Sequence, residues 1–280
     1  MSLDLLQPGI LDLNSLRNVL IRLEDTIIFC IAERAQFHTN DLIYQPDGLG
    51  FKDGFSGTFL DWFLEQIETV HAKVRRYQRS TIKYTTSSIV FDPDEYPFTK
   101  NIPAPILDAL EYPSVLKPNN INVNDQIKSI YIDFVVPQIC ESGDDKNYGS
   151  AATRDIECLQ ALSRRIHYGK FVAESKFLDP KYHDTYVKLI KDHDRDAIMA
   201  LLTNEQVEQK LLERLRKKAM IYGQDFEANT MNPLVQPQSG NVTDGRNVKI
   251  NCDLVVELYR KHVIPLTKVV EVEYLMQRLD

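Results

Sequence analysis

Three observations predict an all-α fold, a single-domain bundle of about ten helices spanning residues 1–280. Apolar residues recur in steps of three and four over long stretches, alternation at every second residue is almost absent, and most Pro- and Gly-bearing runs fall between the periodic stretches.

The first periodic stretch is Leu13 to Arg34, with Leu13, Leu16, Leu20, Leu23, Ile27 and Ile31 on one stripe and Asp12 or Asn14 available as a cap. Arg17 lies on a neighbouring face with Leu20, Ile21, Glu24 and Ile28, as either a solvated edge charge or an inward cation, with the edge slightly favoured. Residues 39 to 58 hold Pro46, Gly48, Gly50, Gly54 and Gly57 and read as loop. A helix from Thr58 to Arg79 follows, its end crowded with Lys73, Arg75, Arg76 and Arg79, bases that suit the negative end of a helix dipole.

Residues 80 to 121 carry six prolines and read as an irregular connection with a short helix around Pro105 to Leu110. The next helix runs from Val123 to Cys140, followed by the polar turn E-S-G-D-D-K-N-Y-G-S, whose Ser150 can cap the stretch beyond. Asp144 and Asp145 lack the spacing of a calcium loop. Two short helices fit 181–192 and 194–202. A longer one fits Asn204 to Tyr222, with Thr203 and Gln206 as a capping box and Val207, Leu211, Leu215 and Ala219 as its apolar stripe. Residues 224 to 250 read as a flexible insertion. The last helix, Asn251 to Leu279, is apolar nearly all round and therefore buried, with a kink expected at Pro265. Glu271, one turn from Thr267, must there be paired, protonated or lining a cavity.

A net charge of −7 argues against nucleic acid as a partner. Cys30, Cys140, Cys158 and Cys252 are scattered, with no histidine at metal-ligand spacing, which predicts reduced thiols and no metal. Neither a signal peptide nor a membrane-length apolar run is evident, and a cytoplasmic protein is expected.

The chain is organised around Ser150 to Phe177. At helical spacing Cys158, Leu162, Arg165, Gly169, Val172 and Lys176 share a face that is apolar apart from two cations. Arg165 and Lys176 are eleven residues apart, a rise of about 16 Å. Gly169 between them has no side chain to fill the interval, and two inward cations flanking it suit a compact dianion. The competing reading makes them structural ion pairs or cations snorkelling to solvent.

Over T-R-D-I-E-C-L-Q-A-L-S-R-R-I-H-Y-G-K-F-V-A-E-S-K-F this sequence resembles the eukaryotic all-helical chorismate mutases, the fungal ones most. L-R-N-V-L-I-R-L-E-D-T-I-I-F near the start, the turn G-D-D-K-N-Y-G-S and the closing I-P-L-T-K-V-V-E-V-E-Y-L resemble the same family, in order across the chain. The resemblance implies the Claisen rearrangement of chorismate to prephenate, on the route to phenylalanine and tyrosine, with no cofactor. It implies that Arg17, Arg165 and Lys176 hold the two carboxylates and the ether oxygen, Asn204 and Glu208 the ring hydroxyl end, and that Thr267 and Glu271 complete the pocket. Three cations against an ionised Glu208 would balance a dianionic substrate only if Glu271 is neutral.

The resemblance further implies a homodimer activated by tryptophan and inhibited by tyrosine, with Arg75, Arg76, Asn147, Gly149, Ser150 and Thr153 binding the effector and Glu24 nearby. Lys146 and Asn251 depart from the fungal pattern, which has Asn and Thr there. The alternative from another class is a non-catalytic helical interaction or regulatory protein.

Overall fold

The computed structural model describes residues 13–77, 95–108, 115–223 and 251–279. Those residues are helical and irregular, with no strand among them. The helices are α1 (Leu13–Arg34), α2 (Phe59–Lys73), α3 (Asn124–Ile130), α4 (Val136–Ile139), α5 (Tyr148–His167), α6 (Gly169–Phe177), α7 (His183–Lys191), α8 (Arg195–Leu202), α9 (Glu205–Tyr222), α10 (Cys252–Leu258) and α11 (Ile264–Met276). A 3-10 turn, Asp41–Ile43, interrupts the loop after α1.

Several of these segments are continuous. α3 and α4 are joined by a π turn, Tyr131–Val135, and α10 and α11 by another, Tyr259–Val263, while only Tyr168 separates α5 from α6. The rods therefore number eight among the described residues, not about ten. Each π turn precedes a proline by two residues, Pro137 and Pro265. Proline has no N–H to give and its ring crowds the carbonyl four residues back, which a widened turn accommodates. The kink expected at Pro265 takes this form, and Pro137 produces an unexpected twin. The two turns meet where the rings of Phe134 and His262 pack at a tilt of 58°, centroids 4.5 Å apart.

α1 matches its expected bounds. α2 stops at Lys73, short of Arg79, because Arg75 turns into the left-handed region at φ 73° and the chain folds back to bury Tyr77 against Ala72 and Ile102. Residues 105–108 are not helical, and 109–110 lie outside the described residues, as do 224–250. α5 begins at Tyr148 with Asn147 at its N-cap position, so Ser150 is not the cap. α9 is capped by Asn204, whose Oδ1 accepts from the Val207 N–H, and not by Thr203, whose hydroxyl donates back to the Met199 carbonyl. The stripe of α9 is Leu212, Leu215 and Ala219, and Val207 is exposed.

α1 and α5 form the antiparallel centre. Arg34 and Asp155 are both fully buried, with Nε 2.6 Å from Oδ1. The other donors of Arg34 go to the Phe37, His38 and Thr39 carbonyls, Tyr44 and Cys140, while Tyr44 and Tyr131 donate to Asp155. This network closes the loop after α1 onto α5. The irregular residues 95–108 and 115–123 are fastened differently, by buried polar side chains on helices. Glu68 accepts from the Phe98 and Thr99 N–H groups, Asn124 donates to the Tyr96 and Pro97 carbonyls, and His167 accepts from the Val123 N–H. Lys170, with its pKa pushed down to about 7 by burial, donates to Tyr96, Asn119 and the Ile121 carbonyl. Backbone groups without a ladder need such partners.

Asp155→Ala strands the buried Arg34 charge and is expected to lower unfolding free energy by about 3–5 kcal/mol. Urea denaturation of the two proteins checks this; a loss under 1 kcal/mol would place the pair's worth no higher than a surface bridge.

Candidate active site

The close contact of the molecule's centre lies where α11 crosses the α5–α6 junction. A Cβ on Gly169 would stand 3.0 Å from the Thr267 carbonyl oxygen, 3.1 Å from Thr267 Cγ2 and 3.2 Å from Glu271 Cγ. The expected ligand-sized gap over Gly169 is thus filled by α11, and the glycine serves instead to let that helix come close. The approach sets Thr267 and Glu271 beside the two cations. Arg165 Nη1 donates to Thr267 Oγ1 over 3.5 Å, and Lys176 Nζ lies 3.5 Å from Glu271 Oε2 while donating to the Leu202 carbonyl at 3.0 Å.

Both Arg165 and Glu271 are buried. Burial pushes the Glu271 carboxyl above its ordinary range, with Lys176, Arg165 and Lys268 acting against the shift. The Arg165 guanidinium lies 5.8 Å from the Tyr259 ring centroid. Asn204 and Glu208 stand in the first turn of α9, and Glu208 Oε1 pairs with Lys268 Nζ at 2.7 Å. Arg17 is exposed and donates to Asn14, the edge position its spacing favoured. The register set by Cys30 beside Cys158 and Arg34 beside Asp155 places Arg17 level with the start of α6, against which α1 also packs.

Lys268 was not among the expected site residues. The signal lay in a lysine next to Thr267 on a helix apolar nearly all round. It alters the charge balance: with Lys268 counted, an ionised Glu271 and not a neutral one matches a dianion. Burial alone then favours the neutral carboxyl.

The residues expected to bind an effector fall into two groups. Arg76 Nε pairs with Glu95 at 2.6 Å, and Glu95 also lies 3.7 Å from Arg164, so Arg76 sits beside the C-terminal half of α5. Arg75 donates to the Asp108 carbonyl. Asn147, Gly149, Ser150 and Thr153 lie at the start of α5, about 16 to 25 Å away along the axis. Glu24 belongs with neither. It is buried between Arg214 and Lys218 of α9, at 2.7 and 3.2 Å, level with Arg165.

A sequence model of chorismate mutase type II matches residues 147–272. The chorismate mutase of Emericella nidulans is 46% identical over 278 residues, covering 96% of this chain and 93% of its own; that of Saccharomyces cerevisiae is 42% identical over 277 residues, covering 97% and 96%. The chain belongs to the chorismate mutase family. Its activity is therefore an isomerisation, chorismate to prephenate, in aromatic amino-acid biosynthesis. The crystal structure of the Candida albicans chorismate mutase Aro7p, a complex with L-Trp, superposes with a TM-score of 0.84 at 42% identity, covering 99% of this chain and 96% of that one. AtCM1 with tyrosine bound in its allosteric site superposes at 0.78, with 39% identity and 98% and 99% coverage. No described helix is long and apolar enough to cross a membrane.

Gly169→Ala sets a methyl group against a backbone oxygen that cannot yield by rotation, so α11 must shift. The variant is expected to lose about 1–3 kcal/mol of stability and to turn over chorismate at least about tenfold more slowly. Denaturation and initial-rate measurements check both, and a fully active, equally stable variant would mean the helices separate without consequence.

Proposed function

We propose that Arg165, Lys176, Arg17, Asn204, Glu208, Thr267 and Glu271 hold chorismate for its rearrangement. The observation that carries this reading is the convergence of Arg165–Thr267 and Lys176–Glu271 across one helix crossing. The reaction is unimolecular and needs no nucleophile, so catalysis comes from folding the substrate into its reactive chair and meeting charge on the ether oxygen as its bond to carbon breaks. Cations on α1, α5 and α6 receive the two carboxylates, and Lys176 also faces the ether oxygen. Asn204 and Glu208, the latter steadied by Lys268, take the ring hydroxyl end. Glu271 donates its proton to the ether oxygen as a hydrogen bond. Adding chorismate to the purified chain and following prephenate tests the whole reading, and no turnover would favour a non-catalytic helical protein.

Glu271 must be protonated to donate, so activity falls as pH rises through its raised pKa. Glu271→Gln donates without ionising. It is expected to stay active and to flatten the alkaline side of the pH–rate profile. A variant that keeps the wild-type decline, or is inactive at every pH, would sink the protonated role.

Regulation by tryptophan and tyrosine belongs to the same proposal. The Candida albicans relative is a complex with L-Trp, and AtCM1 carries tyrosine in an allosteric site. One chain separates Arg75 and Arg76 from Asn147–Thr153, and a homodimer that sets one chain's arginines against the partner's α5 N-terminus would unite them. Exposed Val70, Val74 and Ile106 near Arg75 supply apolar surface for such a contact. Helix N-terminal amides suit an amino acid's carboxylate. Lys146, which stands where fungal relatives carry Asn, holds a left-handed φ of 65° that Asn adopts more readily. A cytoplasmic location accords with the four free cysteines.

Arg75→Ala combined with Thr153→Ala is expected to abolish inhibition by tyrosine. Rates measured with and without tyrosine check this, and undiminished inhibition would move the effector site elsewhere.

A further inference from the structure

Tyr259 opens the π turn between α10 and α11 and is fully buried, and its hydroxyl has no hydrogen-bond partner. Beside it, Arg165 Nε is also buried and unpartnered. Burying one such group without a partner is costly, and here two adjoin. Both are donors: burial raises the phenol's pKa, and Arg165, whose charge and close approach to the phenol oxygen oppose the shift, does not cancel it, so the hydroxyl keeps its proton. The nearest carboxylate, Glu24, is engaged by Arg214 and Lys218. The hydrogen bond from Arg165 Nη1 to Thr267 is long at 3.5 Å, so it leaves the guanidinium able to engage an anion.

We propose that Tyr259 is a further substrate-binding residue, its hydroxyl and the Nε of Arg165 together forming the seat for one carboxylate of the dianionic substrate. Two adjacent donors match the two oxygens of a carboxylate, and the phenol ring beneath the guanidinium fixes the plane in which Arg165 presents its N–H. The assignment rests on Arg165 being a substrate anchor. It adds a neutral donor to a site otherwise built from cations, and explains why a buried hydroxyl is left unsatisfied on a helix that could carry Phe there.

Tyr259→Phe keeps the ring and removes only the hydroxyl. Its kcat/KM for chorismate should fall about tenfold or more, while Tm stays equal or rises because an unpartnered buried group has gone. In an Arg165→Ala background the same change should cost markedly less, since the two donors share one carboxylate. Wild-type kcat/KM in Tyr259→Phe, equal losses in both backgrounds, or a loss of activity matched by a fall in Tm would each overturn the assignment. If Arg165→Ala itself retains full activity, the underlying reading of Arg165 fails instead.

Discussion

A glycine at position 169 lets two helices approach until the backbone oxygen of Thr267 would touch any side chain placed there. Everything at the site follows from that distance. α11 delivers Thr267 and Glu271 on one face, four residues apart, and the α5–α6 rod delivers Arg165 and Lys176 on either side of the crossing. Each pair meets at 3.5 Å, close enough to be held and too long to be a strong bond. Groups so placed can turn to a substrate without a tight internal pair first having to break. The break at Tyr168 and the π turn before Pro265 let both rods bend around this contact.

Helices with a strong internal period were legible in the sequence. α1 has its expected bounds, and the crowded apolar surface of the last helix correctly signalled burial. What the sequence hid depends on residues far apart in the chain. Nothing local marks Glu68, Asn124, His167 and Lys170 as the fasteners of residues 95–108 and 115–123, because each bonds backbone between 27 and 49 positions away. The cationic end of α2 read as a helix terminus, yet Arg75 leaves the helix because Tyr77 must be buried. Helical spacing gathered Arg165, Gly169 and Lys176 correctly, but only packing could reveal that the glycine admits a helix. Lys268 escaped because a lysine beside an expected site residue reads equally well as solvated surface, and Glu24 lies apart from the other expected effector residues because it pairs with Arg214, 190 positions on.

Several other buried charges among the described residues are engaged by more than one partner. Asp155 has Arg34 and two tyrosines, Glu24 has Arg214 and Lys218, and Glu174 has Arg278 and Tyr274. Against that background, a buried donor without a partner calls for an explanation. Arg165 Nε and Tyr259 Oη stand out for that reason. The same comparison bears on Glu271. Its neighbour Lys176 is 3.5 Å away and shared with the Leu202 carbonyl, a weaker hold than Arg34 has on Asp155 at 2.6 Å. With the attraction loose and the carboxyl buried, its pKa is raised, although Lys268 removes the charge-balance reason for a neutral form. Burial without a tight counter-ion is thus what the proposed donor role of this carboxyl rests on, and tightening the Lys176 contact would work against it.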